Sequence, residues 1–389
     1  MRYKRQSLMV PSVAGTPNTA RVLHLLWQRP GISRIEMADE LGLNRSTVTI
    51  IVNELIEHRL VKSVALADAS PVGGRKKVQL AIDPHYGCVG GVQVHADYVR
   101  LVLVDLAGRV LHHEVSAGAV SAKSLDRRLA RVCEALQQRA GQVGMPLLGV
   151  GCGLPGIVDP HAGTLLQSIP LGVFEPEPIA AKLAPIVGRP VYVDNDAHSC
   201  CWGELTSARQ GGANFLFILG EWRRAPRQPE ALLTAIGIGV VIDRQVHYGR
   251  GFSAGEFRST SWQPGNSSQF SLTDDEIARA RTDARLRQTM IRELARNAAL
   301  MVHVLDLDRL YLGGFFDGRD IETQAIFTEE IRRNWTYPTP PTCEVSFATH
   351  GEQAVAYGAA GMVLSRAFAD PGSRASSAAP DGLAILLGG

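Results

Sequence analysis

The sequence contains no apolar run that approaches the roughly 18 residues needed to cross a bilayer, so no membrane-spanning helix is expected. Its start is basic, and the apolar stretch there is too short for a secretory signal peptide. The six cysteines are scattered without a Cys-x-x-Cys pair, which argues against a disulfide framework and against a cysteine-rich zinc site. From these absences we expect a soluble, cytoplasmic protein.

The sequence has enough apolar residues for packed cores, because 45% of its 389 residues are hydrophobic, and its length suggests roughly two to three domains. The net charge of +2 is unevenly distributed. Before about residue 80 there are 12 Lys or Arg and 6 Asp or Glu, so this segment carries about +6 and the remainder about −4. A basic segment joined to a mildly acidic body is typical of nucleic-acid-binding proteins with a separate domain. The alternative is an ordinary charged surface that only contacts solvent. The spacing of the apolar residues is the evidence that distinguishes these two interpretations.

Apolar periodicity and capping residues predict three helices before residue 60. Ser33 and Glu36 form a capping-box pattern at the start of the second helix, and Gly42 suits the left-handed conformation that ends it. Asn44 is placed to cap the third helix, residues 45–59. The short turn between the second and third helices has the spacing of a helix-turn-helix motif.

A β-hairpin is predicted next, with strand-like segments at 60–64 and 78–82 around a cationic, glycine-rich tip. The pattern is typical of a winged helix-turn-helix; the alternative is a three-helix cap whose hairpin is basic by chance. Short polar side chains on the third helix suit base edges and phosphates, and a cationic wing suits the backbone or minor groove. The expected DNA-binding residues are Arg34, Asn44, Arg45, Ser46, Thr47, Thr49, Arg75, Lys76 and Lys77.

After this winged helix-turn-helix, residues 1–83, strand-like and helix-like segments alternate in two series, residues 84–200 and 201–366. The repeated order predicts a two-lobed α/β body with a cleft between the lobes, and the last helix can return to the first lobe. One continuous helix is predicted from about 274 to 305. The Arg- and Pro-rich segment 221–232 is interpreted as an inserted loop, and residues 367–389 as a flexible tail.

Several glycine motifs follow one another in the body in a specific order. They are Gly153-Leu-Pro-Gly-Ile-Val-Asp, Val193-Asp-Asn-Asp-Ala, Gly237-Ile-Gly with Tyr248-Gly-Arg-Gly, Gly255-Glu256 and Leu312-Gly-Gly, preceded by Gly73-Gly-Arg in the wing. From about residue 18 to about residue 366 the chain resembles the ROK family (repressors, open reading frames, kinases). The resemblance implies an actin-like, ribonuclease H-like fold for the body. The whole chain resembles the family's transcriptional-regulator branch, typified by xylose and N-acetylglucosamine repressors, which implies a sugar or sugar-derived effector.

Residues 194–196 follow a strand and face the presumed cleft, where carboxylate and amide groups can bond sugar hydroxyls. The alternative is that these side chains only cap the following helix. In ROK kinases the second acid of this motif, which matches Asp196, is the general base that activates the sugar hydroxyl. For His198, a purely structural role is the competing interpretation. The expected ligand-binding residues are Gly156, Asn195, Asp196, His198 and Glu256.

Two departures from the family pattern bear on chemistry. The kinases' Asp-x-Gly-Gly-Thr phosphate turn matches residues 93–97, where His95 and Ala96 replace the glycines, and a second phosphate loop matches residues 233–237 with another glycine lost. We therefore expect no ATP-dependent catalysis, no catalytic residue and no cofactor. The position of the family's zinc-binding histidine is Ser259, and no cysteine follows it in the matching segment, so no metal site is expected.

Together these features predict a DNA-binding transcriptional regulator, expected to be a repressor, that binds operator DNA as a homodimer or a dimer of dimers. A carbohydrate or sugar-derived ligand in the interlobe cleft is the expected effector. Two alternatives stay open. One is an ATP-dependent sugar kinase with an appended DNA-binding domain, and the other is a regulator with a vestigial cleft that a protein partner controls.

Overall fold

The computed structural model of the protein describes residues 17–66, 78–209, 213–224, 232–316, 321–371 and 382–387. None of the helices in these ranges is both long enough and apolar enough to cross a membrane.

Within residues 17–66 and 78–82, the N-terminal region contains three helices and a three-stranded sheet of order β1-β3-β2. Its elements are α1 (Pro17–Gln28), β1 (Ile32–Ser33), α2 (Arg34–Leu41), α3 (Arg45–Glu57), β2 (Val61–Leu66) and β3 (Val78–Ile82). The predicted cap of α2 is confirmed, because Ser33 Oγ accepts from the Glu36 amide and the Glu36 carboxylate accepts from the Ser33 amide. Gly42 ends α2 at a φ of 64°. Asn44 precedes α3 as its N-cap residue, but its side chain makes no capping hydrogen bond.

Strands β2 and β3 pair antiparallel, as a wing requires. The predicted wing contacts Arg75, Lys76 and Lys77 lie outside the described residues.

The first lobe is built on a five-stranded sheet of order β10-β7-β4-β5-β6. Strands β7 and β10 run parallel to β4, whereas β5 pairs antiparallel with β4 and β6 pairs antiparallel with β5. A small β8-β9 ribbon and two helices complete it. The elements are β4 (Cys88–Val94), β5 (Tyr98–Asp105), β6 (Val110–Ala117), α4 (Leu125–Gln142), β7 (Leu147–Leu154), β8 (Ile157–Asp159), β9 (Thr164–Gln167), α5 (Ile179–Val187) and β10 (Val191–Asn195).

The second lobe repeats this strand arrangement with the order β13-β12-β11-β14-β15. Strands β14 and β15 run parallel to β11, whereas β12 pairs antiparallel with β11 and β13 pairs antiparallel with β12. Its elements are β11 (Phe215–Arg224), β12 (Leu232–Ile242), β13 (Gln245–Val246), α7 (Asp274–Arg279), α8 (Ala284–Val304), β14 (Arg309–Gly314), α9 (Ile321–Arg333) and β15 (Glu344–Phe347). The equivalent sheets account for the two similar series in the sequence.

Two interpretations of this lobe were wrong. The predicted continuous helix is α7 followed by α8, because the Asp283 side chain accepts hydrogen bonds from the amides of Arg285 and Leu286 and starts a new helix. The inserted loop does not begin at Glu221, because β11 continues to Arg224 and β12 resumes at Leu232.

Two helices pack against each other between the lobes, α6 (Asp196–Ser207) and α10 (Ala354–Ala367). Helix α10 returns to the first-lobe sheet so closely that a Cβ at Gly91 would lie 2.0 Å from the carbonyl oxygen of Ala356. A Cβ at Gly358 would lie 1.7 Å from the carbonyl oxygen of Ser199 in α6. Glycine is therefore required where these backbones meet.

The segment interpreted as a flexible tail contains a docked helix, α11 (Gly382–Leu387). Ile385 and Leu386 are buried, and the Tyr86 hydroxyl donates to the Leu386 carbonyl at 2.7 Å. The apolar run of this short segment explains why it folds against the body instead of remaining in solvent.

Candidate functional site

A buried carboxylate organises the junction between β10 and α6. Asp194 Oδ1 accepts from the Asn195 amide at 2.8 Å and lies 3.2 Å from His198 Nδ1. Its Oδ2 accepts from Trp202 Nε1 at 3.0 Å and from the Tyr248 hydroxyl at 2.9 Å. Because Tyr248 belongs to the second lobe, this carboxylate joins the two lobes.

His198 is buried with both ring nitrogens next to acceptors, because Nε2 lies 3.1 Å from the carbonyl oxygen of Ala254. Burial lowers the pKa of His198, but the hydrogen bond and the charge of Asp194 outweigh it, so the pKa lies above its usual value. A protonated ring satisfies both acceptors. The arrangement favours the structural interpretation of His198 over direct ligand contact.

Asn195 is the N-cap of α6, where its Oδ1 accepts from the amides of Ala197 and His198 at 2.8 and 3.2 Å. Its Nδ2 donates to the Gly156 carbonyl at 2.8 Å. Gly156 has a φ of 116°, and a Cβ there would lie 2.1 Å from the carbonyl oxygen of Gln167, so this turn needs glycine. The capping interpretation of Asn195 is therefore realised, and contact with a ligand stays a prediction.

Asp196 forms a buried ion pair that the sequence did not predict. Arg223 Nη2 lies 2.9 Å from Asp196 Oδ2 and 2.6 Å from Glu221 Oε2. The exposed fraction of the side chain is 19% for Arg223, 6% for Asp196 and 10% for Glu221. Burial raises the pKa of Asp196 to about 6, even though Arg223 opposes the shift. Burial also acts to raise the pKa of Glu221, but Arg223 outweighs it and the pKa is lowered. The guanidinium of Arg223 thus forms ion pairs with two carboxylates.

The same cluster contacts the first-lobe turn that matches the kinases' phosphate turn. Gln93 Nε2 donates to Glu221 Oε1 at 3.3 Å, and His95 Nε2 lies 4.0 Å from Glu221 Oε2. Burial lowers the pKa of His95, which favours its neutral form. Asp97 pairs with Arg224 at 3.0 Å. On this side, direct side-chain contacts join the lobes.

Glu256 is exposed and lies beside the start of α6. Its backbone bridges to Gly237, and a Cβ at Gly237 would be 3.7 Å from Asp196 Oδ1. Its charge raises the pKa of Asp196. Within the described part of the chain its carboxylate has no hydrogen-bond partner. The five predicted ligand-binding residues are therefore gathered around the N-terminus of α6.

The position matched to the family's zinc-binding histidine is occupied by a buried serine. Ser259 Oγ accepts from Asn297 Nδ2 at 3.3 Å and from the Ser261 amide at 3.1 Å. Among the residues that the structure describes, no group of three or more His, Cys, Asp or Glu could hold a metal ion.

Helix α3 presents a mixed polar and apolar face. Asn44, Arg45, Ser46 and Thr49 are exposed, whereas Thr47 is half-buried. The Thr49 hydroxyl donates to the Arg45 carbonyl at 2.7 Å.

Two further exposed residues of α3 were missed by the sequence interpretation. Ile50 is 53% exposed, and exposed Asn53 accepts a hydrogen bond from Arg34 Nη2 at 3.1 Å. Both follow Ser46 at the helical spacings of four and seven residues, which was the available signal.

The winged helix-turn-helix contacts the body just beyond the end of α6. Arg209 Nη1 donates to the Trp27 carbonyl at 2.9 Å, Nη2 donates to the Ala107 carbonyl, and the guanidinium carbon lies 5.1 Å from the Trp27 ring centroid. The Trp27 ring stacks on Phe368, with the centroids 5.4 Å apart. A cavity of about 290 Å³ between the two parts is also lined by Arg209.

Comparison with known proteins gives two family matches. Residues 89–264 match the ROK family, and residues 16–67 match the MarR family. The xylose repressor of Caldicellulosiruptor bescii is 26% identical over 246 residues, which cover 63% of this chain and 58% of that protein. The DNA-binding transcriptional dual regulator NagC of Escherichia coli is 28% identical over 153 residues, 38% of this chain and 36% of its own. The chain thus aligns with little more than half the length of the first relative.

Solved structures share the fold. A ROK family transcriptional regulator, described as a homologue of the Escherichia coli MLC protein, superposes with a TM-score of 0.74 at 20% identity and covers 96% of this chain and 98% of its own. A ROK family glucokinase from Streptomyces griseus, in complex with glucose and AMPPNP, has a TM-score of 0.52 at 23% identity. The superposition covers 71% of this chain and 99% of the glucokinase. At such identities the likeness shows the fold alone. The predicted fold, a winged helix-turn-helix before a two-lobed α/β body, is confirmed.

Proposed function

Because residues 89–264 match the ROK family and residues 16–67 match the MarR family, we propose that the chain is a sugar-responsive DNA-binding repressor. The names of its relatives, a xylose repressor and the regulator NagC, support this proposal. As a homodimer, the protein would place two α3 helices in successive major grooves about 34 Å apart.

One observation carries the proposal: α6 connects the two parts that such a regulator must couple. Its first residue is Asp196, and its N-cap is Asn195. Arg209, two residues beyond its end at Ser207, holds the Trp27 carbonyl of the DNA-binding region. A ligand that prefers one position of α6 therefore shifts the DNA-binding region, because a ligand acts through its differential affinity for two states.

ATP-dependent catalysis is not part of this proposal. A ROK glucokinase shares the fold, so the fold does not decide the question. The contacts of Gln93 and His95 with Glu221 support the expectation that the protein is not an enzyme, because they involve the turn that matches the kinases' phosphate turn. Asp196, whose Oδ2 is held by Arg223, then acts as a ligand contact instead of a general base.

The test begins with selection of an operator from a random DNA pool by the purified full chain. Operator affinity is then measured by fluorescence anisotropy with and without D-xylose, D-glucose and N-acetylglucosamine, and ADP formation is followed with ATP present. We expect at least one sugar to weaken operator binding, Asp196→Asn to abolish that response, and Glu344→Gln, at a distant and exposed residue of β15, to retain it. ADP formation that Asp196→Asn abolishes would establish the kinase alternative. Operator binding without any sugar response would favour the vestigial-cleft alternative.

A further inference from the structure

The charges around the N-terminus of α6 are strongly unbalanced. Three carboxylates gather there, those of Asp196, Glu221 and Glu256, and Arg223 contacts only the first two. The side chains of Asp196 and Glu221 are almost fully buried, so water screens their charges poorly.

The neighbouring charged groups do not restore the balance. Asp194 Oδ1 lies 3.2 Å from His198 Nδ1, and the one charge that this imidazole can carry at most cancels that of Asp194, so the pair adds no positive charge. Asp97 is paired with Arg224 in the same way. On the loop 248–256 the only other charged residue is Arg250, which is exposed. Among the residues that the structure describes, carboxylates outnumber guanidinium groups around the N-terminus of α6 even when Arg250 is counted.

Arg223 is poorly placed to receive an anion. Its Nε donates to Glu221 at 3.0 Å, and its Nη2 is shared between Glu221 and Asp196. A phosphate that approached the Nε–Nη2 edge of this guanidinium would have to displace carboxylates already held in a buried, charge-assisted geometry.

We infer that the cleft selects a sugar without an anionic group and rejects phosphorylated and carboxylated sugars. This inference rests on the proposed function and narrows its ligand class. Sugar hydroxyls and protonated amines donate hydrogen bonds to carboxylates, whereas a phosphate or carboxylate meets like charges at low dielectric. The free carboxylate of Glu256 and the remaining acceptor capacity of Asp196 suit such donors.

The test uses matched pairs of sugars that differ mainly in charge: D-glucose against D-glucose 6-phosphate, D-glucose against D-glucuronate, and N-acetylglucosamine against its 6-phosphate. Binding to the full chain is measured by isothermal titration calorimetry. For every pair with a measurable uncharged ligand, we expect the anionic partner to bind at least about tenfold more weakly, because like-charge juxtaposition is costly. D-glucuronate, which is close to glucose in size, separates charge repulsion from steric exclusion.

Charge variants complete the test. Glu221→Gln removes one carboxylate and should reduce the preference for the uncharged partner at least about threefold. Glu256→Gln should also reduce the preference for the uncharged partner, and because Glu256 is exposed, this substitution should not impair folding. The control Glu344→Gln removes an acid on β15, paired with Arg309, and should leave the ratio unchanged.

The outcomes separate the inference from the function on which it rests. An anionic sugar that binds as tightly as its uncharged partner, or more tightly, overturns the inference and leaves the sugar-responsive repressor intact. If no sugar binds or alters operator affinity, the proposed function fails, and the inference fails with it. A ratio that neither Glu221→Gln nor Glu256→Gln changes would also overturn the inference, because the discrimination would then be steric.

Discussion

The carboxylate of Asp194 and the imidazole of His198 form a buried pair, with Oδ1 and Nδ1 3.2 Å apart. The other ring nitrogen of His198 faces the Ala254 carbonyl, and Tyr248 packs edge-on against the ring at 5.1 Å between centroids. The pair therefore fixes the loop that carries Glu256 relative to the start of α6.

This pair predicts a pH-dependent contribution to stability. Because the pKa of His198 is raised in the folded state, its stabilising contribution is complete below its unfolded pKa of about 6.5 and is lost as pH rises through the folded pKa. The wild-type protein should exceed His198→Gln in free energy of unfolding by more at pH 6 than at pH 9, as measured by urea denaturation. A difference independent of pH would contradict a charged His198. Comparing the two proteins cancels the titration of groups that they share.

Arg209 should couple ligand binding to DNA binding. In Arg209→Gln the charge-assisted bonds to Trp27 and Ala107 are lost, so we expect about 1–3 kcal/mol less free energy of unfolding and a smaller ligand effect on operator affinity. Denaturation and fluorescence anisotropy measure the two effects. Arg128→Gln is the matched control, because Arg128 also donates to a backbone carbonyl, that of Ser116, but away from this interface. An unchanged ligand effect in Arg209→Gln would place the coupling elsewhere.

Ile50 should contribute to operator recognition through its exposed apolar side chain. Such side chains contact the thymine methyl group in the major groove, so Ile50→Ala should weaken operator binding by about 1 kcal/mol or more and relax one base preference. Repeated selection from random DNA measures the preference. Ile35→Ala, at a 43% exposed residue of α2, is the control that should leave it unchanged. Equal effects of the two variants would argue against a base contact by Ile50.

Gly358 should be intolerant of even one additional carbon. Its Cβ would lie 1.7 Å from the carbonyl oxygen of Ser199, so Gly358→Ala should lower the free energy of unfolding by about 3 kcal/mol or more. Gly141, an exposed residue of α4, has no atom within 4 Å of the corresponding Cβ, and Gly141→Ala should instead be neutral or stabilise by about 0.5–1 kcal/mol. Chemical denaturation distinguishes the two. A small loss for Gly358→Ala would mean that α6 and α10 separate easily.

The parts of the fold that could be predicted depend on short-range signals. The capping box of Ser33 and Glu36 and the left-handed Gly42 lie within one helix and its ends, so the sequence displays them directly. The two-lobed body was predictable because its strands and helices repeat in order. The break before Ala284 was missed, although Asp283 provides a capping signal of the same local kind.

The candidate site was only partly predictable because its decisive contacts are long-range. Glu221 meets Gln93 across 128 residues, and the arginine- and proline-rich sequence after Glu221 suggested a loop instead of a strand. Asn195 could not be assigned to one role from sequence, because the same amide suits a helix cap and a sugar contact. The structure assigns the cap and leaves the contact to experiment.

The bond between the Tyr86 hydroxyl and the Leu386 carbonyl has a consequence for protein synthesis, because it closes a separation of 300 residues. At about 5–20 residues per second, a ribosome needs roughly 15–60 s to add that length. During this interval the winged helix-turn-helix has been translated, while α10 and α11, which contribute to the same buried cluster as its helices, have not. In a nascent chain the winged helix-turn-helix can therefore be complete while part of the apolar surface that it buries in the finished protein is still exposed.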